Sequence, residues 1–144
     1  MNNNLISSGT IQINASVQKV WLGLTTPEII KQYLFGTETL TDWKPGSEII
    51  FKGEYQGQKY RDKGIVQENK LHEKLSYLYW SGFSGDEDKL ENYSLVTYSL
   101  KHDAENKTTF TWSQKGFVNE TNCAHSQNGM KAFLEIVKAV IEKN

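Results

Sequence analysis

The only cysteine is the first candidate for chemistry. Cys123 lies in the first turn of the last predicted helix, where the positive end of the helix dipole favours a nucleophilic thiolate. A catalytic thiol also needs a neighbouring base, and His125, two residues further on, points away from it on a helix. We therefore interpret Cys123 as a plain buried thiol, and a single cysteine excludes an intramolecular disulfide.

The histidines and the clustered acids lack the spacing of a metal site. His72, His102 and His125 lie in a predicted turn, near a strand end and on a helix, and none has a second ligand four residues on. The acidic residues 86–88 lack the ligand spacing and the glycine of a calcium loop. We predict no metal site, no cofactor and no set of catalytic residues.

Tyrosines and one aspartate are the more informative candidates. If Phe110 and Trp112 face the core, strand alternation also points Tyr60, Asp62, Tyr77, Tyr79 and Tyr98 inward on the neighbouring strands. Buried hydroxyl and carboxylate groups need hydrogen-bond partners, and polar tips in an apolar groove are typical of a pocket for an amphipathic molecule. Solid core is an equal alternative for the tyrosines.

The predicted ligand-binding residues share a position on the inner face of the sheet or on the facing side of the last helix. They are Phe51, Tyr60, Asp62, Tyr77, Tyr79, Tyr98, Phe110, Trp112, Cys123, Gln127, Met130 and Leu134.

The elements that position these residues begin with one strand and two short helices. Residues 9–13 alternate polar and apolar side chains as a strand does, and we expect residues 1–8 to be a flexible segment before it. Ser16 predicts the start of a first helix with apolar residues at i, i+3, i+4 and i+7. Thr26 followed by Pro27 predicts the start of a second helix.

Strands separated by turns follow, from about residue 37 to residue 117. The clearest strand patterns fall at about residues 49–54, 59–67, 75–80, 93–100 and 108–114. Short strands joined by hairpin-like turns favour an antiparallel meander.

The last predicted helix is the longest and carries one apolar stripe. It spans about residues 121–143, and Asn128-Gly129 is its weak point, because a helical glycine costs about 1 kcal/mol relative to alanine. We predict a continuous helix that can bend there. The stripe consists of Met130, Phe133, Leu134, Val137, Val140 and Ile141.

Charge and length restrict the class of protein. The chain has 16 basic and 17 acidic residues, and a net charge of −1 gives no electrostatic footprint for nucleic acid. No segment approaches the roughly 18 apolar residues of a membrane span, and no export signal is visible, so we expect a cytoplasmic protein. A length of 144 residues fits a single domain over residues 1–144.

The order of elements and several short motifs resemble a known family. The motifs are Ile13-Asn14-Ala15-Ser16, Val20-Trp21, Thr26-Pro27-Glu28, Trp43-Lys44-Pro45-Gly46, Gly64-Ile65-Val66-Gln67-Glu68, Leu75-Ser76-Tyr77 with Trp80, and the run from Glu91 to Leu100. They are similar to those of the activator of heat-shock-protein-90 ATPase homologue family. That family is part of the START-like (SRPBCC) superfamily, together with polyketide cyclases, Bet v allergens and lipid-transfer domains.

The resemblance implies an α+β helix-grip fold, in which a curved antiparallel sheet of six to seven strands wraps a long C-terminal helix. It also implies a groove between sheet and helix for an apolar ligand or a protein partner. Many members have tryptophan where this chain has Met130, and we expect the smaller side chain to leave volume in the groove.

These patterns predict a non-enzymatic domain that binds an apolar or amphipathic small molecule. One alternative is a cyclase- or hydratase-type enzyme in which Asp62 or a tyrosine moves protons in the same pocket. Another is a chaperone-linked protein-interaction module.

Overall fold

The computed structural model describes all 144 residues. Seven strands and three helices follow one another as β1 (Asn2–Ile13), α1 (Val17–Thr25), α2 (Pro27–Tyr33), β2 (Glu38–Leu40), β3 (Glu48–Tyr55), β4 (Gln58–Lys70), β5 (Lys74–Trp80), β6 (Ser94–Ala104), β7 (Lys107–Phe117) and α3 (Glu120–Lys143). A single 3₁₀ turn, Leu90–Asn92, interrupts the connection between β5 and β6.

One antiparallel sheet contains all seven strands. Their order is β1-β7-β6-β5-β4-β3-β2, so β2 to β7 form a meander and β1 returns to pair with the last strand. Apolar residues from the sheet and the three helices form one core of 20 buried residues. The predicted helix-grip architecture is confirmed, with seven strands.

The first strand is longer than the sequence pattern indicated. We predicted a flexible segment over residues 1–8, but residues 2–8 belong to β1, and Ser7 pairs with Gln114. The side chain of Gln127 on α3 accepts a hydrogen bond from the Ser8 amide at 2.9 Å and donates one to the Ser8 carbonyl at 2.8 Å. Because Gln127 satisfies both backbone groups of Ser8 on this edge strand, the polar segment is tied to α3.

Several strand boundaries also differ from expectation, and β6 and β7 end at Ala104 and Phe117, beyond the predicted residues 100 and 114. β2 (Glu38–Leu40) was not predicted, because three residues are too few to show an alternating pattern. β4 continues to Lys70, beyond the expected end near residue 67, with a register shift between Val66 and Glu68 where it pairs with β5. The bulge interrupts the alternation that a sequence pattern depends on.

The helices begin as predicted. The Ser16 hydroxyl accepts a hydrogen bond from the Lys19 amide at 3.2 Å, and Pro27 occupies the first turn of α2. The side chain of Asn119 caps α3 by accepting from the Asn122 amide at 2.9 Å. α3 is continuous through Gly129.

Two glycines let the helices approach their neighbours. A Cβ atom at Gly9 would lie 2.8 Å from Leu134 Cδ1 and would clash with Met130 Cγ. A Cβ atom at Gly23 would lie 2.5 Å from Ile141 Cγ1. At these two glycines α3 therefore packs directly against β1 and α1.

Candidate functional site

A cavity of about 450 Å³ opens on the concave face of the sheet. Its walls come from β3 to β7, from the α2–β2 connection (residues 34–37) and from the β5–β6 loop (residues 81–93). The fourteen residues that line it are mostly apolar: Leu34, Phe35, Thr37, Phe51, Glu54, Tyr55, Tyr60, Asp62, Tyr77, Tyr79, Phe83, Val96, Trp112 and Gln114.

The sequence predicted a groove between the sheet and α3, but the cavity does not lie there. No residue of α3 is among those that line it. The helix instead rests on the sheet through Phe133, whose ring lies 4.9 Å from that of Trp112 in an edge-to-face arrangement. This contact ends the cavity on the helix side, so the open space lies beneath the α2–β2 connection.

Six of the predicted ligand-binding residues line this cavity: Phe51, Tyr60, Asp62, Tyr77, Tyr79 and Trp112. Two others lie behind its wall. Tyr98 is buried, with its hydroxyl 2.7 Å from that of Tyr77, and Phe110 is fully buried in the core.

The four candidates on α3 lie elsewhere. Gln127, Met130 and Leu134 border a separate, more polar cleft of about 330 Å³ between α3 and β1, and Cys123 lies one helical turn before Gln127 and lines neither space. Met130, which we expected to leave volume in the groove, does not reach the aromatic cavity; it borders this second cleft, where Gly9 lies close to its side chain.

The remaining lining residues were not among the candidates. Strand alternation reaches Val96 and Gln114, since Gln114 lies two residues beyond Trp112. The others lie in connections or at a hairpin end, where no periodic pattern identifies them: Leu34, Phe35, Thr37, Glu54, Tyr55 and Phe83.

Asp62 is the polar centre of the cavity. The residue lies on β4 and is 9% exposed. The Tyr79 hydroxyl donates a hydrogen bond to its Oδ2 at 2.6 Å, and the Gly82 amide donates to its Oδ1 at 2.8 Å. Burial, together with the neighbouring Asp62 charge, raises the pKa of Tyr79 far above its ordinary value, so this hydroxyl stays protonated.

A second polar pair lies deeper in the wall. Burial raises the pKa values of both Tyr77 and Tyr98, whose hydroxyls share a hydrogen bond. Both remain neutral at physiological pH, and one hydroxyl donates to the other inside an apolar environment.

Tyr60 is held in place from two sides. The Thr37 hydroxyl donates to the Leu34 carbonyl at 2.7 Å and is also hydrogen-bonded to the Tyr60 hydroxyl. Since the single Thr37 proton goes to Leu34, Tyr60 is the donor of the second bond. Gly53 makes room for the ring, because a Cβ there would lie 2.5 Å from the Tyr60 hydroxyl. Tyr60 thereby links the sheet to the end of α2.

The fold and the cavity together define a helix-grip domain with an internal, largely aromatic pocket. The family model "Activator of Hsp90 ATPase homolog 1-like protein" matches residues 14–142. The chain belongs to this family, and the resemblance drawn from the sequence motifs is confirmed.

Solved structures agree with this assignment. ChR145 from Cytophaga hutchinsonii is 36% identical, with a TM-score of 0.82 over 99% of this chain and 97% of that one. The Aha1 dimer from Colwellia psychrerythraea is 17% identical, with a TM-score of 0.70 over 95% and 96%. CalU16 from Micromonospora echinospora is 17% identical, with a TM-score of 0.69 over 93% and 74%. The last two show similarity of fold alone.

Among curated proteins, no sequence matches this chain significantly. In the structure, none of the helices combines the length and apolar character needed to cross a bilayer.

Proposed function

We propose that this domain binds a small apolar or amphipathic molecule in the cavity of the sheet and does so without catalysing a reaction. The observation that carries the proposal is a 450 Å³ space with mainly apolar walls and one buried carboxylate. Ligand pockets in proteins commonly measure about 300–1,000 Å³ and combine apolar walls with a few polar groups.

The mouth of the cavity also supports a ligand with a substantial apolar part. Three aromatic residues surround it, which we call the rim aromatics: Phe35, Tyr55 and Phe83, with 77%, 62% and 52% of their surface exposed. A ligand that fills the cavity and reaches the mouth would cover part of this apolar surface and gain about 25 cal/mol per Å².

The hydrogen bonding around Asp62 favours binding over the enzymatic alternative. Tyr79 stays protonated and gives its only proton to Asp62, so it is neither a base nor a free donor toward a substrate. Tyr77 and Tyr98 are occupied with each other. The carboxylates of Asp62 and Glu54 are the lining groups left that could remove a proton, and turnover that disappears in Asp62→Asn or Glu54→Gln would favour the enzyme.

A protein-interaction function is the second candidate, and the rim aromatics favour it. Exposed aromatic residues are enriched at protein interfaces. The two functions differ in whether the interior of the cavity is used, because a protein partner that contacts the rim leaves the deeper residues Val96 and Tyr77 untouched.

The proposal is tested by filling the cavity from inside. Val96 is a buried lining residue, so Val96→Phe places a ring into existing space and should abolish binding of a fluorescent apolar probe with little change in melting temperature. Val137→Phe is the matched control. Val137 is fully buried where α3 packs, so the same change overpacks the core and should cost about 1–3 kcal/mol of stability.

Native mass spectrometry of freshly purified protein gives an independent readout. Bound mass in the wild type that is lost in Val96→Phe supports the proposal. A wild type that carries no added mass and binds no probe contradicts it and favours the protein-interaction candidate.

A further inference from the structure

The charged residues around the cavity are all of one sign. Two of the fourteen lining residues are acids, Asp62 and Glu54, and none is lysine, arginine or histidine. The chain as a whole is close to neutral, with 16 basic and 17 acidic residues, so the lining departs from the composition of the molecule.

Asp62 has hydrogen-bond partners but no cationic partner. Its two hydrogen bonds come from the neutral groups of Tyr79 and Gly82, and it takes part in none of the ion pairs of the structure. A carboxylate offers about four lone-pair positions, so about two remain available. Burial of a carboxylate is costly unless an opposite charge offsets it.

The basic residues nearest in sequence do not supply that charge. Arg61 and Lys63 flank Asp62 on β4, and strand alternation points them to the opposite face of the sheet. Lys63 lies 3.2 Å from Asp88 and 3.6 Å from Glu48 on that outer side. A cation that pairs with Asp62 therefore has to come from outside the chain.

Aromatic rings surround the same carboxylate. The ring of Phe51 lies 5.8 Å from that of Tyr77 and 5.9 Å from that of Tyr79, the donor to Asp62. The ring of Tyr60 lies 5.6 Å from that of Phe83 at the mouth. The faces of aromatic rings attract cations, and more strongly when the cation is shielded from water.

We propose that the ligand of this cavity carries an organic ammonium group on an apolar body, with the ammonium bound by Asp62 and the body packed among the aromatic rings. This inference rests on the proposed function and names its ligand class. Glu54 adds negative potential at the lining, while a carboxylate or phosphate ligand would meet two acids and no basic side chain. The cavity therefore selects amines over fatty acids of the same length.

Three probes of ten carbon atoms each separate the contribution of the charged group from that of the apolar chain. Decylamine is charged at neutral pH as a lysine side chain is, decanol is neutral, and decanoate is an anion. Titration calorimetry at constant ionic strength should show decylamine binding about ten- to a hundredfold more tightly than decanol, as expected for a hydrogen-bonded charge, with decanoate weakest.

Asp62→Asn tests the residue itself. The amide has nearly the shape of the carboxylate without its charge, so the preference for decylamine over decanol should be lost. Glu91→Gln is the control, because Glu91 is an exposed acid that does not line the cavity. This substitution removes the same charge from the protein as Asp62→Asn does. It should leave the preference for the amine intact.

The outcomes distinguish this inference from the proposed function. If the wild type binds none of the three probes, the proposed function fails. If it binds decanol as tightly as decylamine, or prefers decanoate, the binding function stands and the ammonium inference is overturned. The wild-type order of affinities decides this even if Asp62→Asn does not fold.

Discussion

Near β1, α3 lies so close to the sheet that only a glycine fits beneath it, whereas near β3 to β5 the same concave face is left open and lined with aromatic rings. Gly9 contacts Met130 and Leu134 at the first place. Phe51, Tyr60 and Tyr79 face a 450 Å³ space at the second. The long helix therefore covers one half of the sheet, while two connections only partly cover the other half.

The largest expected effect is in the closed half. Val137 is fully buried, so Val137→Asp places a carboxylate without a partner in the core and should unfold the domain, since the cost of several kcal/mol is comparable to a domain stability of about 5–15 kcal/mol. Circular dichroism and thermal melting measure this. Ala132→Asp is the matched control on the exposed side of α3 and should remain folded. Similar melting of the two variants would show that α3 does not pack as described.

Glycine substitutions compare tight and open sites directly. Gly9→Ala adds a methyl group where Met130 already lies, and we expect a loss of about 1–3 kcal/mol in the free energy of unfolding. Gly129→Ala adds the same group where nothing lies within 4 Å, and in a helix it should stabilise by up to about 1 kcal/mol. Chemical denaturation gives both values. If Gly9→Ala leaves the free energy of unfolding unchanged, α3 and β1 do not pack as closely as described.

The smallest expected effect is on the pH dependence of the β5–β6 loop, which partly covers the open half of the sheet. A hydrogen bond from Tyr93, and then the charge of Lys63, lower the pKa of Asp88 below its ordinary value of 3.8. A lowered folded-state pKa means that these contacts add stability above about pH 4, and that this is lost as the pH falls through the folded-state value. Because Asp88 is exposed, the effect is small.

Amide hydrogen exchange of residues 81–93 measures that loss. The protection factors of the loop amides should fall as the pH is lowered below about 4, while those of the α3 amides stay unchanged over the same pH range. Asp88→Asn should have lowered loop protection already at neutral pH and a flatter dependence below it. If loop protection in Asp88→Asn falls as steeply with pH as in the wild type, a group other than Asp88 causes the loss.

Local patterns predicted much of the fold, and they named six of the fourteen residues that line the cavity. The alternation of β4 and β5 placed Asp62, Tyr77 and Tyr79 on one face, because strand geometry fixes the direction of every second side chain. Ser16 and Pro27 located the starts of α1 and α2 for equally local reasons.

What the sequence did not predict depends on contacts between distant segments. The extent of β1 depends on Gln127, which is 119 residues away from Ser8. The position of the cavity depends on where α3 stops covering the sheet, and this is set by Gly9 and by the contact of Phe133 with Trp112. No periodic pattern encodes such pairings, so the sequence did not separate Met130 from the residues that line the aromatic cavity.

A titration with a neutral probe shows directly whether the open half of the sheet, and not the closed half, is a ligand pocket. Labelled wild-type protein is titrated with decanol, a neutral probe that does not depend on Asp62, and the backbone amide shifts are followed by NMR. We expect saturable shifts at Asp62, Tyr79 and Val96, with Gly9 and Met130 unchanged. Shifts centred on Gly9 and Met130, or no saturable shifts at any amide, would contradict the claim.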